Sequence, residues 1–396
     1  MRHKGHIRQR SKGSFEIRYD LGTDQLTGKR QTVTTTFKGK RQDAVKEMYR
    51  LLRNVEEGTY VESEKITVGE FLKQWIETVR SQVSPKTHER YSDIVTHFLI
   101  PTFGNCPLNK LQTTAIQNVY NGWESSGRRD SKKGGLSPQT RLHIHRVLKS
   151  ALKYAVQLPL INRNPADFVK PPRPKRASIS TITIEQSAIL LDAIRGKQIY
   201  WPVLMALTTG MRRGEILALR WKNIDLDKKT VRIVESLEQT KKGMRFKAPK
   251  TDRTRAVILP DYAVEELRLW KEKQAEEFAE LEVKHNQDTL FYCRYDGEPI
   301  WPSSITHEFY KAIKKLPELP KIRFHDLRHS HATQLLAAGI HPKIAQERLG
   351  HSTITTTLDL YSHAVETMQD DAAAKLDSAL RSAIKPKLSG TKLQLG

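Results

Sequence analysis

The chain has 396 residues, 38% of them hydrophobic and 28% charged, and its 67 basic against 44 acidic residues give a net charge of +23 at pH 7. This composition excludes a disordered chain, and the lack of an apolar run of about 18 residues excludes a membrane span. Two cysteines, Cys106 and Cys293, exclude a disulfide framework and a cysteine-rich zinc module. The basic start has no apolar segment behind it, so we expect a cytoplasmic, nucleoid-associated protein of two to three domains. The charge favours nucleic acid as the partner, with an anionic membrane surface as the alternative.

The first predicted part, residues 1–61, is a small basic module. The segments Ser14–Tyr19 and Arg30–Phe37 have the composition of strands, and residues 41–56 place apolar side chains at helical spacing. Those apolar residues are Ala44, Met48, Leu51, Leu52 and Val55. Residues 1–53 hold 14 basic and 5 acidic residues, and 14 − 5 gives +9. A sheet with one helix is too small for a deep pocket, which favours a binding module.

The second predicted part, residues 65–170, is helical. Thr67 and Glu70 form a capping-box pattern, and a later helix is expected from about Thr114. Two further helices are predicted to begin with a serine cap and a proline, at Ser84-Pro85 and Ser137-Pro138. The basic loop Gly127–Gly135 either faces DNA or is a solvated connector.

The stretch Asn162–Ser180 is rich in proline and basic residues and predicts an extended linker, with residues 171–182 as the boundary between domains. Thr183 then starts another helical pattern, and a mixed part follows over residues 183–364. Its helices are expected at the beginning and end. A short sheet is predicted between them from Thr230–Leu237, Met244–Lys247 and Arg255–Leu259.

Two segments of this third part carry basic residues at turns. In Thr208–Trp221, Gly210 permits a tight approach before a helix. Arg212 lies near the helix start, where the helix dipole and a guanidinium both favour an anion. Glu215, three residues on, is placed to orient an arginine. The second segment, Ala248–Leu259, puts Lys250 in a turn beside a strand.

Two later segments add histidines, an arginine and a tyrosine. In Phe324–Ile340, His325 and Arg328 are three residues apart and share one helix face, where they are able to grip one phosphate. In Glu347–Ala364, His351 follows a glycine at a predicted helix start, and Tyr361 comes ten residues later.

Together the four segments resemble the catalytic boxes of the tyrosine recombinases, the family of phage and conjugative-transposon integrases. Most of the resemblance lies in three successive motifs, which are H-x-x-R, then L-G-H, then a tyrosine before Ser-His. The resemblance is strong from Thr183 to about Ala364 and looser over the helical second part. The spacing from His351 to Tyr361 is one residue longer than in the shorter cellular resolvases, which favours the mobile-element branch.

The resemblance implies a multi-domain, mainly α-helical fold with small β-sheets. It implies an arm-site-binding sheet-plus-helix module over residues 1–61 and a helical core-site-binding domain over residues 65–170. A mixed α/β catalytic domain is implied over residues 183–364, followed by a C-terminal helix and tail over residues 365–396.

The resemblance also implies a role for each site residue. Arg212 and Arg328 clamp the non-bridging oxygens of the scissile phosphate, and Glu215 supports the site. Tyr361 attacks phosphorus to form a 3′-phosphotyrosyl link, and Lys250 protonates the leaving 5′ oxygen. His325 assists proton transfer, and His351 donates a hydrogen bond to the phosphate.

This chemistry has physical consequences for cofactors and partners. Paired guanidiniums stabilise the charge of a phosphoryl-transfer transition state without a metal, and the covalent link keeps the phosphodiester energy, so neither magnesium nor ATP is required. The expected partners are double-stranded DNA with core and arm attachment sites, further copies in a homotetramer, and excision or DNA-bending accessory proteins. No membrane partner is expected.

Three other classes of function stay open. His325, His329 and His331 have a spacing that suits zinc, but H-E-x-x-H is absent and Arg328 would repel a cation, so His329 is expected to be structural and hydrogen-bonded. A non-catalytic DNA-binding regulator would leave Lys250 and Tyr361 without a role. A type IB topoisomerase uses similar chemistry, and a relaxation assay against a recombination assay separates the two.

Several residues have simpler interpretations. Arg213 and Arg220 are expected to be structural, Trp221 to lie in the core, and Tyr292 and Tyr310 not to be nucleophiles. Residues 366–384 predict an amphipathic helix with Met368, Ala372, Leu376 and Leu380 on one face. That face packs either on its own domain or, as the resemblance implies, on a neighbouring protomer. The tail from Lys385 is expected to be disordered.

Overall fold

A computed structural model describes residues 5–23, 28–56, 66–130, 132–174, 180–249, 254–358 and 365–384. The chain divides into two compact units, residues 1–176 and residues 177–396. Lys250, Tyr361 and the tail from Lys385 lie outside the described residues. Among the described residues, no helix combines the length and the apolar character needed to cross a bilayer.

The first unit begins with a three-stranded antiparallel sheet covered by one helix. The elements are β1 (Gly5–Ser11), β2 (Ser14–Thr23), β3 (Arg30–Lys38) and α1 (Arg41–Glu56), with β2 in the centre of the sheet. Their shared core contains the buried side chains of Phe15, Ile17, Tyr19, Ala44 and Leu52. The two predicted strands and the helix are confirmed. Strand β1 was not predicted, because Ile7 is its one large apolar residue and the strand carries little hydrophobic pattern.

The rest of the first unit is helical. It contains α2 (Val68–Val79), α3 (Pro85–Ile94), α4 (Ile100–Phe103), α5 (Thr113–Gly122) and α6 (Pro138–Gln157). Thr67 and Glu70 form the predicted capping box, and Ser84 and Ser137 cap α3 and α6 with proline in the first turn. A π-helical turn, Val95–Leu99, joins α3 to α4. The helices bury a core of their own, with Phe71, Leu72 and Trp75 of α2 inside it.

The predicted linker is wrong over its first half. Pro165–Phe168 forms a 3-10 turn, and Ala166 and Val169 are buried in the helical core. The Asn164 side chain donates to the Lys149 carbonyl and accepts from the Ala166 amide, so it fixes this segment against α6. These buried residues therefore fix a segment whose composition alone predicts an extended chain.

The second unit is mixed. Its described helices are α7 (Ile184–Ala193), α8 (Tyr200–Thr209), α9 (Arg213–Leu217), α10 (Asp261–Glu280), α11 (Pro302–Ile313), α12 (Asp326–Ala337), α13 (Pro342–Leu349), α14 (Ile354–Leu358) and α15 (Val365–Ile384). Most of α8 is buried at the centre of the unit, and Trp221 is in the core as predicted. The helix predicted from Thr183 is confirmed as α7, which begins with a capping box of Thr183 and Gln186. The fold is multi-domain and mainly α-helical with small antiparallel sheets.

The predicted single sheet is two separate sheets. One has the order β4 (Ile224–Asp225), β5 (Thr230–Ile233), β8 (Arg255–Ile258), and the other is the hairpin β6 (Ser236–Thr240) with β7 (Gly243–Lys247). The expected strand Thr230–Leu237 breaks after Ile233, and its two halves pair with different partners. A run of alternating residues does not reveal such a change of partner.

The last helix leaves apolar side chains exposed. In α15, Leu376 and Leu380 are 63% and 52% exposed, so neither packs on its own unit. The side chains of Met368 and Ala372, which share the predicted face, are outside those that the structure describes.

Candidate active site

The first site segment is shaped by a glycine that ends α8. Gly210 has a φ of +67°, in the left-handed region. A Cβ at this position would lie 2.6 Å from the His331 ring and 2.7 Å from the Leu349 side chain. The turn places Arg212 in extended conformation as the N-cap of α9, as the sequence predicted.

Glu215 is the buried anion of the site. It is 2% exposed, and its carboxylate accepts from the Arg212 backbone N–H (2.8 Å) and from Arg212 Nη1 (2.8 Å). Burial raises the pKa of Glu215, but hydrogen bonds and charge from Arg255, and then Arg212, outweigh burial, and the pKa is below its ordinary value. The carboxylate is therefore ionised at neutral pH and orients Arg212, as predicted.

Arg255, the first residue of β8, shares this carboxylate. Its two terminal nitrogens donate to both Glu215 oxygens at 3.0 and 2.6 Å, and its Nε donates to the Arg348 carbonyl at 3.1 Å. The sequence does not single out this residue, because it lies in a basic hairpin where several other arginines and lysines are equally good candidates for a site residue.

Arg328, in α12, is almost fully buried at 3% exposure. Its guanidinium donates to the Gly210 carbonyl and to the Leu349 carbonyl, both at 2.6 Å. Burial, and then the nearby charge of Arg212, lower the pKa of Arg328 to about 9, so it stays charged at neutral pH. The Arg328 side chain thus connects the end of α8 to the end of α13, and its charge lies close to that of Arg212.

His325 is the N-cap of α12, three residues before Arg328, and it is exposed whereas Arg328 is buried. Partial desolvation lowers the pKa of His325 to about 4, with smaller contributions from His329 and Arg328, so the imidazole is neutral at pH 7. Its ring meets that of His329 edge to face, with centroids 5.1 Å apart. The prediction that His329 is hydrogen-bonded is wrong for one nitrogen: within the described residues, its buried Nδ1 has no partner.

His351 follows a helix end, so the prediction that it begins a helix is wrong. Gly350 has a φ of +67° and closes α13 in the left-handed conformation, and α14 begins three residues after His351. The pKa of His351 is lowered to about 4. Burial is the largest cause, and the nearby charges of Arg328 and Arg212 lower the pKa further. His351 is thus a neutral imidazole close to both arginines. Arg212 also donates to the Gly350 carbonyl at 3.1 Å.

His331 and Arg348 form a second layer that the sequence did not predict. His331 Nδ1 donates to the Leu207 carbonyl at 2.7 Å, and its Nε2 accepts from Arg348 at 3.2 Å. Arg348 also donates to the carbonyls of Thr208 and Ile258, both at 2.8 Å. Both ring nitrogens of His331 are engaged in these contacts, which leaves neither for a zinc ion.

The remaining predicted residues fall into two groups. Lys250 and Tyr361 lie outside the described residues, so their positions stay predictions. Arg213 bonds the Thr306 hydroxyl and Arg220 the Asp288 carbonyl, which supports structural roles for both. Tyr292 is buried in the core and Tyr310 is exposed on α11.

The described cluster is suited to an anion. Arg212, Arg255 and Arg328 bring three guanidiniums around one carboxylate, so the net charge is positive, and two neutral imidazoles stand beside them. Guanidiniums bind phosphate oxygens through paired N–H donors, and a neutral imidazole is able either to donate or to accept a proton. A phosphate diester fits this combination of groups.

Comparison with known proteins agrees with this chemistry. The model of the phage integrase family matches residues 181–368, and the model of a phage integrase N-terminal SAM-like domain matches residues 67–124. The first match covers all the described site residues, and the second covers α2 to α5.

Individual proteins show the same relation. The ICEBs1 integrase of Bacillus subtilis strain 168 is 26% identical over 377 residues, which cover 94% of this chain and 100% of that protein. The Tn1549 transposon integrase in complex with transposon right end DNA has a similar fold, with a TM-score of 0.66, 22% identity, and coverage of 78% of this chain and 100% of that chain. A lambda integrase tetramer bound to a Holliday junction has a TM-score of 0.56 and 18% identity over 88% of this chain and 96% of that chain.

Proposed function

The chain belongs to the phage integrase family of tyrosine recombinases and is a site-specific recombinase, and we propose that it integrates and excises a mobile element. In this reaction a DNA strand is cut through a 3′-phosphotyrosyl intermediate and rejoined to a partner strand through a Holliday junction. The observation that carries the proposal is the pair Arg212 and Arg328, fixed beside neutral His351 by hydrogen bonds to Glu215 and to three backbone carbonyls.

The first step is an in-line displacement at phosphorus. The Tyr361 oxygen attacks the scissile phosphate, a tyrosine–phosphorus bond forms, and the bond to the 5′ oxygen breaks. The Tyr361 proton passes to His325, whose imidazole is neutral at pH 7 and has one ring nitrogen able to accept it. Lys250 protonates the departing 5′ oxygen. Arg212 and Arg328 bind the non-bridging oxygens where negative charge develops, and His351 donates to one of them.

The second step reverses the first with a different strand. The free 5′ hydroxyl of the partner duplex attacks the phosphotyrosyl phosphorus and releases Tyr361, so the number of phosphodiester bonds is unchanged. The energy of the broken bond is kept in the covalent link, and no nucleotide cofactor or metal enters this balance.

The proposed partners follow from pairwise exchange. Two duplexes are each cut on two strands, which requires four active sites and hence a homotetramer on DNA. We assign core sites to the helical part of the first unit and arm sites to the basic sheet module. The exposed Leu376 and Leu380 of α15 support docking of this helix on a neighbouring protomer. Accessory excision and DNA-bending proteins belong to the same proposal.

A type IB topoisomerase is the second candidate because it shares the covalent step. The two activities differ in their products. A recombinase joins strands from two duplexes, whereas a topoisomerase rejoins the strand that it cut and changes only the linking number.

An exchange assay with two duplexes of different lengths tests the proposal. The duplexes carry the DNA that flanks the gene, which includes the expected attachment core, and the buffer contains EDTA. We expect recombinant products of new length that need the flanking sequence and persist in the chelator. Relaxation of supercoiled plasmid without recombinant products would favour the topoisomerase, and loss of all cleavage in EDTA would favour a metal-dependent hydrolase.

A further inference from the structure

Arg255 occupies an unusual place among the arginines of the second unit. Its side chain is 10% exposed and its partner Glu215 is 2% exposed, so the pair is nearly dry. Its bonds to both carboxylate oxygens are complemented by the bond from its Nε to the Arg348 carbonyl. Because the Arg255 guanidinium is buried and hydrogen-bonded at both of its ends, it is held in one orientation.

The same side chain fills the space beside the Gly350 turn. A Cβ built on Gly350 would lie 3.0 Å from Arg255 Cδ and 3.0 Å from its Nη1. Arg212 donates to the carbonyl of this same Gly350 at 3.1 Å, and His351 follows directly. Arg255 therefore contacts both features that hold Arg212: its carboxylate partner and the turn that accepts from it.

We propose that Arg255 is a positioning residue for DNA cleavage, which holds Glu215 and the Gly350–His351 turn in the arrangement that directs Arg212 at the scissile phosphate. The inference rests on the proposed function for its catalytic consequence. Arg255 needs no contact with DNA in this role. Its effect passes through Glu215.

Glu215 has to be ionised for this arrangement to work. Among the described residues, the charged groups that face it are Arg212 at the start of α9, Arg255 from β8 and Arg328 from α12. Arg255 lowers the pKa of Glu215 the most, against the opposing effect of burial. Without Arg255 the pKa of the carboxyl rises, and a protonated Glu215 no longer anchors the charge of Arg212.

The test compares Arg255→Met with wild type by two measurements that respond oppositely to pH. The first is single-turnover cleavage of the flanking-DNA duplex at saturating protein. We expect Arg255→Met to cleave at least ten-fold more slowly, with a deficit that grows from pH 8 to pH 6 as Glu215 takes up a proton. His325 and His351 have pKa values of about 4 in wild type, so they stay neutral between pH 8 and pH 6.

The second measurement is the Tm without DNA. When the pKa of a folded-state carboxyl is raised, the folded protein binds the proton more tightly, so stability is lost as the pH rises through that pKa. The Tm deficit of Arg255→Met is therefore expected to shrink from pH 8 to pH 5. A residue with a merely structural role would make the rate deficit follow the Tm deficit.

Two further variants complete the comparison. Arg255→Lys keeps the charge and is expected to recover part of the rate and a pH profile near wild type. Arg232→Met is the control, because Arg232 is exposed on the neighbouring strand β5 and its substitution removes the same charge. The rate of this control is expected to stay within about two-fold of wild type.

A wild-type rate for Arg255→Met, or a deficit with the same factor at every pH, would overturn the inference. If wild type itself cleaves no flanking DNA, the proposed function fails. The Tm comparison still decides whether Arg255 controls the charge of Glu215.

Discussion

At the scale of single residues, the two arginines differ in what else they hold. Arg328 is buried and donates to two backbone carbonyls, whereas Arg212 is part-exposed, and its loss leaves Glu215 still bonded to Arg255. In the proposed mechanism, loss of either guanidinium removes a preorganised donor from the transition state, which is expected to cost on the order of 3 kcal/mol or about a hundred-fold in rate.

The two alanine variants are therefore expected to separate in stability. Arg212→Ala should lose cleavage with a Tm near wild type and with DNA binding retained. Arg328→Ala should lose cleavage and also about 2–4 kcal/mol of stability, because the carbonyls of Gly210 and Leu349 lose their donor. Cleavage at saturating protein and thermal unfolding measure the two effects. Equal Tm values for the two variants would contradict this division of roles.

Lys250 is expected to act on the leaving group. A 5′ alkoxide is far more basic than the attacking phenolate, so its departure needs a proton. Lys250→Ala should fail on ordinary DNA and recover on a substrate whose bridging 5′ oxygen is sulfur, a better leaving group. Tyr361→Phe should stay inactive on both. Normal cleavage of ordinary DNA by Lys250→Ala would transfer the role of acid to another residue of the hairpin.

The residue types of the site were predictable, and their surroundings were not. The spacing of His325 and Arg328 predicts a shared helix face, and Glu215 lies three residues after Arg212 as a carboxylate partner does. Arg255 is 40 residues from Glu215, and a contact over that distance leaves no mark in a local pattern. The prediction for His351 was wrong because a glycine before it suits a helix start and a helix end equally.

At the scale of elements, the turn between α8 and α9 depends on Gly210. Its left-handed φ and the close His331 ring oppose any side chain, and His331 is held by the Leu207 carbonyl and by Arg348. Gly339 is a matched control, since its φ is +76° and a Cβ added there would meet no atom within 4 Å.

The two glycine-to-alanine variants isolate the effect of this contact. Gly339→Ala should cost about 1 kcal/mol from backbone strain alone. Gly210→Ala should cost about 3 kcal/mol, since steric overlap adds to the strain. Denaturant unfolding of both variants provides the comparison. If Gly210→Ala lowers the free energy of unfolding no more than Gly339→Ala does, the structure relieves the close contact without losing stability, and this prediction is wrong.

The N-terminal module is an element that should be separable. It has its own buried core and a sequence charge of +9 over residues 1–53, from 14 basic and 5 acidic residues. A protein that lacks residues 1–64 is expected to cleave a core site normally and to recombine poorly on DNA with flanking arm sequence. The full chain should bind arm DNA with a steep dependence on salt. Equal recombination by both proteins on both substrates would remove the arm-binding role.

Elements with local signals were predicted well, and those that depend on distant pairing were not. Apolar spacing places both bounds of α1, and capping residues place the starts of α2 and α7, within a residue or so of those observed. The two-sheet arrangement and the buried turn Pro165–Phe168 depend on partners far along the chain. Propensity carries no information about such partners.

At the scale of the whole molecule, a net charge of +23 supplies affinity for DNA without sequence preference. We propose that specific cutting depends on one small cluster. In it Arg212, Arg255 and Arg328 donate to backbone carbonyls, and Arg212 and Arg255 share the Glu215 carboxylate. We propose that this cluster serves a tyrosine nucleophile.

The most direct measurement is the identity of the covalently modified residue. Wild-type protein is incubated with a nicked duplex from the DNA that flanks the gene, so that the cut strand end diffuses away and the adduct accumulates. Protease digestion and mass spectrometry then locate the attached nucleotide. We predict a 3′-phosphate linked to Tyr361, and DNA binding without any adduct for Tyr361→Phe. An adduct on another residue, or an adduct formed by Tyr361→Phe, would contradict this claim.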